Sequence, residues 1–315
     1  EKRLPQDGRI SLRLAGREVD LRVSSIPTGH GERIVMRLLD KNKERLQLET
    51  LGMASDTLVN IDNLITRPHG IFLVTGPTGS GKSTTLYAAL ARVDSNALNI
   101  MTVEDPVEYD IPGISQTQVN AKIDMTFARA LRSILRQDPD VVMIGEIRDL
   151  ETAQIAVQSS LTGHLVMATL HTNSASSTIT RMLDMGVESF LLSSTLIGIL
   201  AQRLIRLLCP KCKTENLAIA PALREEYNIP TEAKIYKAVG CEHCSGTGYK
   251  GRTGIHELLM VDDEVQRLIH TGASETEIEH YATTKRNMRT LRMDGLRWAI
   301  EGKTSIEEII AITKE

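Results

Sequence analysis

Apolar and polar residues alternate through the first 40 positions of the chain, in the stretches RISLRLAG, EVDLRVSSIP and ERIVMRLLD. Alternation with a period of two places successive side chains on opposite faces of a strand, and glycine and proline between the stretches favour turns. The pattern therefore predicts three antiparallel strands. The polar segment LDKNKERLQLET that follows is typical of a linker to a further domain.

From about residue 55 the pattern changes to short apolar runs that alternate with helical segments. The runs GIFLVT, NIMTV, VVMIG and HLVMATL lack polar alternation, as expected for strands that are buried on both faces. In the segment TFARALRSILRQ, five apolar residues fall on one helical face, namely Phe127, Ala130, Leu131, Ile134 and Leu135. Alternating strands and helices predict an α/β fold, with a parallel sheet covered by helices on both faces.

The rest of the chain departs from this alternation. Residues 206–256 contain all four cysteines, and residues 260–315 have the pattern of helices. The apolar stretch Phe190–Ala201 is too short to cross a bilayer, and its Ser and Thr residues predict a buried helix. The chain begins at Glu1 in the middle of a pattern, which we interpret as a fragment that lacks an N-terminal part.

Composition disfavours nucleic-acid and membrane-spanning classes. The chain carries 37 basic and 40 acidic residues, whereas a dedicated nucleic-acid binder usually has a basic excess. Aromatic residues make up only 3%, so stacking platforms for single strands are scarce. No window reaches about 18 apolar residues, the length of a transmembrane helix. We therefore expect no nucleic-acid partner and no transmembrane segment.

The segment GPTGSGKS at Gly76–Ser83 fits the phosphate-binding pattern G-x-x-x-x-G-K-[ST] in full, between a predicted strand and a predicted helix. Its glycines let backbone N–H groups turn towards phosphate oxygens, and the helix N-terminus attracts the same anion. Lys82 would reach the β and γ phosphates, and the Ser83 hydroxyl would bind Mg²⁺. The predicted ATP-binding set is Gly76, Pro77, Thr78, Gly79, Ser80, Gly81, Lys82, Ser83 and Thr84. The alternative is an ordinary glycine-rich turn.

Carboxylates follow two of the predicted strands. Glu146 comes just after VVMIG, where it can position and deprotonate an attacking water. Gly145 occupies the place where the commoner pattern has Asp, so part of the Mg²⁺ shell must come from elsewhere. Glu104 and Asp105, in the segment TVEDPVEYD, end another strand of the same sheet. The simpler alternatives are that Glu146 is a solvated carboxylate at a strand end and that Glu104 and Asp105 cap a helix or form a turn before Pro106.

Two histidines bracket the strand HLVMATL, His164 before it and His171 after it. His171 would lie at the carboxyl end of the strand, where its ring can donate a hydrogen bond to a γ-phosphate and so sense hydrolysis. A lone histidine is more often structural, so this assignment is a hypothesis.

The four cysteines form two C-x₂-C pairs, CPKC at 209–212 and CEHC at 241–244. Two such turns facing each other complete a tetrahedral site, and four thiolates leave no open coordination position. The spacing predicts a structural Zn²⁺ bound by Cys209, Cys212, Cys241 and Cys244. Two disulfides or a redox pair are the alternatives.

Together these motifs resemble the secretion-type traffic ATPases. The match comprises the phosphate loop, TVEDPVEYD (the Asp box), RQDPDVVMIGEIRD (the Walker B segment, with GE in place of DE) and LTGHLVMATLHTN (the His box). LPQDGRISLRLAGREVDLRV and DMTFARALRSILRQDPDVVM are most similar to the type II secretion branch, the general secretion pathway protein E family. The resemblance covers essentially the whole chain.

The resemblance implies a RecA-like ATPase core preceded by a small PAS-like α+β domain, with ATP bound between them. Arginines of the first domain contact the phosphates in this family; Arg22 and Arg37 match those positions, and Arg13 is a weaker third match. An arginine at that place stabilises charge on the transferred phosphoryl group.

Four units follow from the resemblance. We expect residues 1–42 to be the C-terminal part of the PAS-like domain and residues 43–205 to be the ATPase core. Residues 206–258 would be the four-cysteine zinc insert, and residues 259–315 a C-terminal helical subdomain.

The resemblance also implies a homo-hexameric ATPase that drives pseudopilus assembly and protein export. It would be cytoplasmic and peripheral at the bacterial inner membrane, docking on platform proteins through the missing N-terminal part and the zinc insert region. A type IV pilus-extension motor remains an alternative that shares every motif. A RecA-like nucleic-acid translocase and a nucleotide-gated binding module are alternatives from other classes.

Overall fold

The computed structural model describes residues 2–14, 17–40, 47–217 and 221–314. Its first unit is an antiparallel sheet of three strands in the order β1-β2-β3. They are β1 Gln6–Leu14, β2 Arg17–Thr28 and β3 Gly31–Asp40. The three antiparallel strands predicted from the period-two pattern are confirmed.

The remaining strands are numbered in chain order. They are β4 Gly70–Thr75, β5 Ile100–Glu104, β6 Ser115–Gln118, β7 Val141–Ile144, β8 Leu165–Leu170, β9 Leu196–Leu208, β10 Thr214–Glu215, β11 Tyr236–Lys237 and β12 Tyr249–Met260. Seven of them form one sheet in the order β12-β9-β4-β8-β7-β5-β6. Its paired strands are parallel except for β12, which runs antiparallel to β9.

Helices connect these strands and form the C-terminal region. They are α1 Ser55–Ile65, α2 Lys82–Leu90, α3 Phe127–Ile134, α4 Leu150–Leu161, α5 Ala175–Asp184, α6 Ser189–Thr195, α7 Pro221–Glu226, α8 Asp263–His270, α9 Glu275–Lys285, α10 Leu291–Ile300 and α11 Ile306–Thr313. Short 3₁₀ turns lie at Leu48–Leu51, Ala121–Ile123 and Glu242–Cys244. The helical pattern predicted for residues 260–315 is confirmed.

Side-chain caps explain where many of these helices begin. Before α3, α4, α5, α8, α9, α10 and α11, an oxygen of the preceding residue accepts a hydrogen bond from a backbone N–H of the first turn. Such a cap satisfies an amide that has no partner within the helix. The capping residues are Thr126, Asp149, Ser174, Asp262, Ser274, Thr290 and Ser305.

The central sheet is buried on both faces. In β4, Ile71 and Leu73 pack into one apolar cluster and Phe72 and Val74 into the other, and all four are 0% exposed. Consecutive residues of one strand thus lie in different cores, which explains why the strand pattern shows no polar alternation. The predicted α/β class, a mainly parallel sheet between two helical layers, is confirmed.

One predicted element is wrong. The stretch Phe190–Ala201 is not a single helix, because α6 ends at Thr195 and β9 begins at Leu196. Strand β9 lies between β4 and the edge strand β12. A short apolar run fits a buried helix and a buried strand equally well, so here the pairing with two neighbours decided the conformation.

The segment between β9 and β12 carries the cysteines, and four helices follow β12. No helix within the described ranges is long and apolar enough to cross a bilayer.

We predict that Leu131→Ala lowers the free energy of unfolding by about 2–5 kcal/mol, because it removes buried methyl groups and leaves a cavity. Leu131 lies on the buried face of α3 and is 0% exposed. Ser133→Ala, on the exposed side of the same helix, is the matched control and should change stability by less than about 0.5 kcal/mol. Urea unfolding followed by far-ultraviolet circular dichroism measures both; equal effects would contradict the assigned helix face.

Candidate functional site

The phosphate loop, Gly76–Ser83, connects the end of β4 to the start of α2 in the centre of the sheet. Gly76 has a φ of 146°, a conformation that residues with a side chain rarely adopt. A Cβ atom there would lie 2.3 Å from the backbone oxygen of Gln202 and 2.7 Å from Ser80 Oγ. The loop therefore packs directly against β9 and requires glycine at its first position.

Lys82 is buried within this loop, with only 8% of the residue exposed. Its Nζ donates hydrogen bonds to the backbone oxygens of Gly76, at 2.8 Å, and Pro77, at 3.2 Å. Burial lowers the pKa of Lys82, and the charge of Glu146 opposes that shift. The ammonium group is thus held by neutral carbonyls of its own loop.

Polar groups of the loop fit a bound phosphate. Gly81 precedes α2 and offers no side-chain cap, so the first amides of this helix lack an acceptor from that residue. Within the described ranges, Ser80 Oγ is buried and has no hydrogen-bond partner. A cavity of about 830 Å³ opens beside the loop and is lined by Lys82, Ser83 and Thr84 among others. A helix N-terminus with uncapped amides is a suitable site for an anion.

Glu146 lies two residues beyond β7 and lines the same cavity. Its Oε1 is 3.1 Å from His171 Nε2, and its Oε2 accepts a 2.7 Å hydrogen bond from Arg148 Nε. His171 Nδ1 is in turn 3.4 Å from Lys82 Nζ. The structure thus brings together Glu146, His171 and Lys82, which are far apart in the sequence.

The glycine before Glu146 has a steric explanation. A Cβ atom at Gly145 would lie 3.2 Å from the backbone oxygen of Val103, because β7 and β5 approach closely at this point. Gly145 also accepts a 2.5 Å hydrogen bond from Thr169 Oγ1 of β8. A side chain at this position would require the neighbouring strand end to shift by a few tenths of an ångström, which disfavours the aspartate of the commoner pattern.

The contacts of the His171 ring fit its neutral form. Burial lowers its pKa most, followed by the charge of Lys82, while Glu146 acts in the opposite direction. Because Nε2 faces a carboxylate and Nδ1 faces an ammonium group, the consistent tautomer carries its proton on Nε2. His171 then donates to Glu146 and accepts from Lys82.

Glu104 lies at the end of β5 and is only 3% exposed. Its carboxylate accepts hydrogen bonds from Tyr87 Oη, from Thr102 Oγ1 at 2.5 Å and from Gln116 Nε2 at 3.0 Å. Burial raises the pKa of Tyr87, and the charge of Glu104 adds to the effect, so the phenol remains a donor. Glu104 lines the cavity but is fixed by three donors, whereas the neighbouring Asp105 is exposed there.

The candidate arginines occupy different positions. Arg37 lines the cavity, together with Leu38 from the same strand. Arg22 pairs in register with Arg37 across β2 and β3, and the two flank a smaller cavity of about 270 Å³. Arg13 lies opposite Glu18 in the backbone register of β1 and β2, near the C-terminal end of β1. Within the described ranges, Arg37 is therefore the candidate arginine that the structure brings to the phosphate loop.

Sequence reasoning missed Gln202, which fixes the phosphate loop from the side. This residue of β9 is 2% exposed; its Nε2 donates to the Ser80 backbone oxygen at 2.6 Å and its Oε1 accepts from Thr85 Oγ1 at 2.7 Å. A polar residue within the apolar run LIGILAQRLI was the available signal, because a buried amide needs partners. Tyr87 and Gln116, the partners of Glu104, gave no comparable signal.

The four cysteines converge although they come from two separate turns. Their sulfur atoms all lie within 4.8 Å of one another, and the closest pairs are 3.8–3.9 Å apart. Zn–S bonds of about 2.3 Å in a tetrahedron place sulfurs about 3.8 Å apart, whereas a disulfide needs about 2.05 Å. Backbone amides of Cys241 and Gly248 donate to Cys244 Sγ, as expected around a thiolate. The cluster therefore fits Zn²⁺ and does not form disulfides.

The chain matches the model of one protein family, described as Type II/IV secretion system protein, over residues 1–311. It is 63% identical over 315 residues to the type II secretion system protein HxcR of Pseudomonas aeruginosa, covering 100% of this chain and 64% of that protein. It is 60% identical over 323 residues to the type II secretion system ATPase E of Vibrio cholerae, covering 100% of this chain and 62% of that protein. The chain thus spans less than two thirds of the length of these relatives.

Solved structures share the fold. The pilus retraction motor PilT with bound ADP superposes with a TM-score of 0.71 at 26% identity, covering 99% of this chain and 78% of that one. The ATPase DotB of Legionella pneumophila superposes with a TM-score of 0.70 at 20% identity, covering 98% and 77%. The ATPase fold expected from the motifs is confirmed.

We predict that Gln202→Leu destabilises the phosphate loop. The substitution leaves the buried Ser80 carbonyl and Thr85 hydroxyl without their partner, and each lost partner costs about 1–3 kcal/mol. Thr85→Val is the matched control, because it removes one of these hydrogen bonds and leaves the Ser80 contact in place. Thermal unfolding should rank wild type above Thr85→Val and Thr85→Val above Gln202→Leu. A Gln202→Leu protein as stable as wild type would contradict the role assigned to Gln202.

Proposed function

We propose that this chain, which belongs to the Type II/IV secretion system protein family, is the ATP-hydrolysing part of a motor that drives pseudopilus assembly and protein export in type II secretion. The observation that carries the proposal is the contact between Glu146, His171 and Lys82 at the mouth of the phosphate loop. Names of relatives such as type II secretion system ATPase E support the branch.

The phosphate loop, together with Thr84, is proposed to bind ATP. In this proposal Lys82 Nζ leaves the carbonyl oxygens of Gly76 and Pro77 and binds the β and γ phosphates, which are stronger, charged acceptors. Mg²⁺, when held by the Ser83 hydroxyl, would neutralise charge on the same phosphates. The loop amides and the N-terminus of α2 complete the anion site.

Glu146 is the proposed general base. Its carboxylate orients a water and takes its proton as the water oxygen bonds to the γ phosphorus; the bond to the β–γ bridging oxygen breaks, giving ADP and phosphate. Arg148 and His171 keep the Glu146 carboxylate in place through their hydrogen bonds. His171 Nε2–H would share its hydrogen bond between the Glu146 carboxylate and an oxygen of the γ phosphate, and so register the loss of that phosphate.

Glu104 and the arginines have supporting roles in this proposal. Glu104 lines the same cavity as Ser83 and would add a negative charge that favours Mg²⁺ there, and its three donors hold its carboxylate in place. Arg37 lines the cavity and would stabilise charge on the transferred phosphoryl group. Arg22, which pairs with Arg37 across the sheet, would act only after the first unit moves towards the nucleotide.

Assembly, metal and location complete the proposal. We propose residues 1–42 as part of a PAS-like domain, 43–205 as the ATPase core, 206–258 as a zinc insert and 259–315 as a helical subdomain. Six chains would form a ring that works at the cytoplasmic face of the bacterial inner membrane. The chain would contact platform proteins through an N-terminal part and the insert region. The net charge of −3 argues against a nucleic-acid partner.

A type IV pilus-extension motor is the second candidate, because the structural neighbour PilT is a pilus motor. The relatives above 55% identity that carry type II secretion names favour the first candidate. Expression of the gene in a secretion-defective strain and in a pilus-extension mutant separates the two: rescue of pilus growth without rescue of secretion would favour the second.

We predict that Lys82→Ala and Glu146→Gln separate ATP binding from hydrolysis. Lys82→Ala removes the cation that binds the phosphates, so affinity for ATP should fall at least about tenfold. Glu146→Gln keeps the shape of the side chain but removes the base, so binding should persist while turnover falls about 10²–10⁴-fold. Equilibrium binding of a fluorescent ATP analogue and phosphate release measure the two effects. Unchanged turnover in Glu146→Gln would refute hydrolysis by this residue.

We predict one zinc per chain, bound by the four cysteines. Cys241→Ser should lower the zinc content and the thermal midpoint, because a structural Zn²⁺ contributes about 10–16 kcal/mol to folding in small peptides. His243→Ala is the matched control: His243 lies between Cys241 and Cys244 but contacts Lys250, and its loss should leave the zinc content at one. Metal analysis of both purified variants tests this; zinc retained in full by Cys241→Ser would overturn the assignment.

A further inference from the structure

The segment that follows His171 is attached to β4 at its beginning. The backbone N–H of Thr172 donates to Thr75 Oγ1 at 2.9 Å, and the two threonine hydroxyls are 2.6 Å apart. Thr75 is the last residue of β4 and directly precedes the phosphate loop. The position of His171 is therefore tied on this side to the strand that carries the loop.

The same segment is attached on its other side to the C-terminal helices. The backbone oxygen of Asn173 is 3.4 Å from an Arg203 nitrogen, and the other terminal nitrogen of Arg203 donates to the backbone oxygen of Ile312 in α11 at 2.7 Å. Ser174 Oγ donates to Glu275 Oε1, in the first turn of α9, at 3.0 Å. Ser174 thus contacts α9 directly, whereas Asn173 is connected to α11 through Arg203 of β9.

Glu257 makes the next contact and joins two helices. This residue of β12 is 4% exposed; its Oε1 accepts the backbone N–H of Ala175 at 2.7 Å and its Oε2 accepts that of Leu291 at 3.2 Å. Ala175 and Leu291 are the first residues of α5 and α10. One carboxylate therefore bonds to the N-termini of two helices, the end at which a negative charge is most favourable.

The cost of burying Glu257 indicates a specific purpose. Burial raises the pKa of this carboxyl, while the two backbone donors and the charge of Arg203 act in the opposite direction. Both helices also have side-chain caps of their own, Ser174 for α5 and Thr290 for α10. These caps accept from the amides of Ser177 and Met293, whereas Glu257 accepts from those of Ala175 and Leu291. Two separate side chains could satisfy the latter amides, so what Glu257 adds is the link between the two helix ends.

We propose that Glu257 is a positioning residue for ATP hydrolysis: by holding the first amide of α5 it keeps His171 against Glu146, and by holding α10 it couples that position to the C-terminal helices. The inference rests on the proposed function and adds a residue outside the nucleotide cavity to it. A change at the γ phosphate that moves His171 would then reach α10 through a single side chain.

A double-mutant cycle in the full chain tests the proposal. Glu257→Gln keeps one acceptor but turns an NH₂ group towards the other amide, so one helix end loses its partner. We expect kcat for ATP to fall about tenfold, with KM within about twofold, because a small misplacement of a catalytic group lowers the rate without weakening binding. In a His171→Ala background the same substitution should change kcat by less than about twofold, since the group that it positions is absent.

Thr290→Ala is the matched control. The Thr290 hydroxyl accepts from the Met293 amide in α10 and, among the described residues, makes no hydrogen bond to α5, so its loss weakens the same helix without touching the segment after His171. Its thermal midpoint should fall while kcat stays within about twofold of wild type in both backgrounds. If Glu257→Gln does not fold, Glu257→Asp, which keeps the charge and shortens the side chain, replaces it in the double-mutant cycle.

Three results would overturn the positioning role: an equal fold-reduction in both backgrounds, a Thr290→Ala effect as large as that of Glu257→Gln, or a His171→Ala protein with wild-type kcat. Failure of the proposed function can be told apart from failure of the positioning role, because in the former case the wild-type chain would bind ATP but would not hydrolyse it. In that case the dissociation rate of a fluorescent ATP analogue is measured in the same cycle. Non-additive rates would support the link through Glu257, and additive rates would overturn it.

Discussion

A buried ammonium group held by its own loop is the interaction on which the rest of the structure depends. Within the described ranges, the hydrogen bonds of Lys82 go to two backbone carbonyls and one neutral imidazole, all uncharged acceptors. Burial disfavours the charged form of Lys82 and lowers its pKa. The interaction between the lysine and a charged acceptor that enters the loop is therefore stronger than the same interaction at the protein surface. This imbalance explains why the loop must be rigid. A soft loop would relax around the lysine and lose its preference for phosphate.

The surrounding layers supply that rigidity. Gln202 fixes the loop from β9, and Thr75 fixes the segment after His171 from β4, so two neighbouring strands define the geometry of the cavity. Glu257 continues the connection to α10. The proposed nucleotide site and the C-terminal helices are therefore connected by side chains buried in the protein, an arrangement that would let a local event in the proposed motor move a larger unit.

The sequence was most informative where one residue type has one physical use. The phosphate loop and the cysteine spacing predicted their sites because glycine at a positive φ and four thiolates at tetrahedral distance admit few alternatives. The strand β9 was missed because apolar runs fit helix and strand equally, and only its neighbours in the sheet decide. The buried partners of Glu104 and the two helix contacts of Glu257 could not be predicted, because they join residues up to 82 positions apart in the sequence. The local pattern of residues does not indicate such long-range contacts.

The central claim is that Lys82 exchanges its backbone acceptors for the phosphates of ATP. A crystal structure of the protein with Mg²⁺ and a non-hydrolysable ATP analogue tests it most directly. We expect Lys82 Nζ to lie within hydrogen-bond distance of the γ phosphate and no longer to be bonded to Gly76, with the Glu146 carboxylate facing the terminal phosphorus across one water. An analogue bound elsewhere, or a Lys82 still held by Gly76 and Pro77 with the analogue in the cavity, would contradict it.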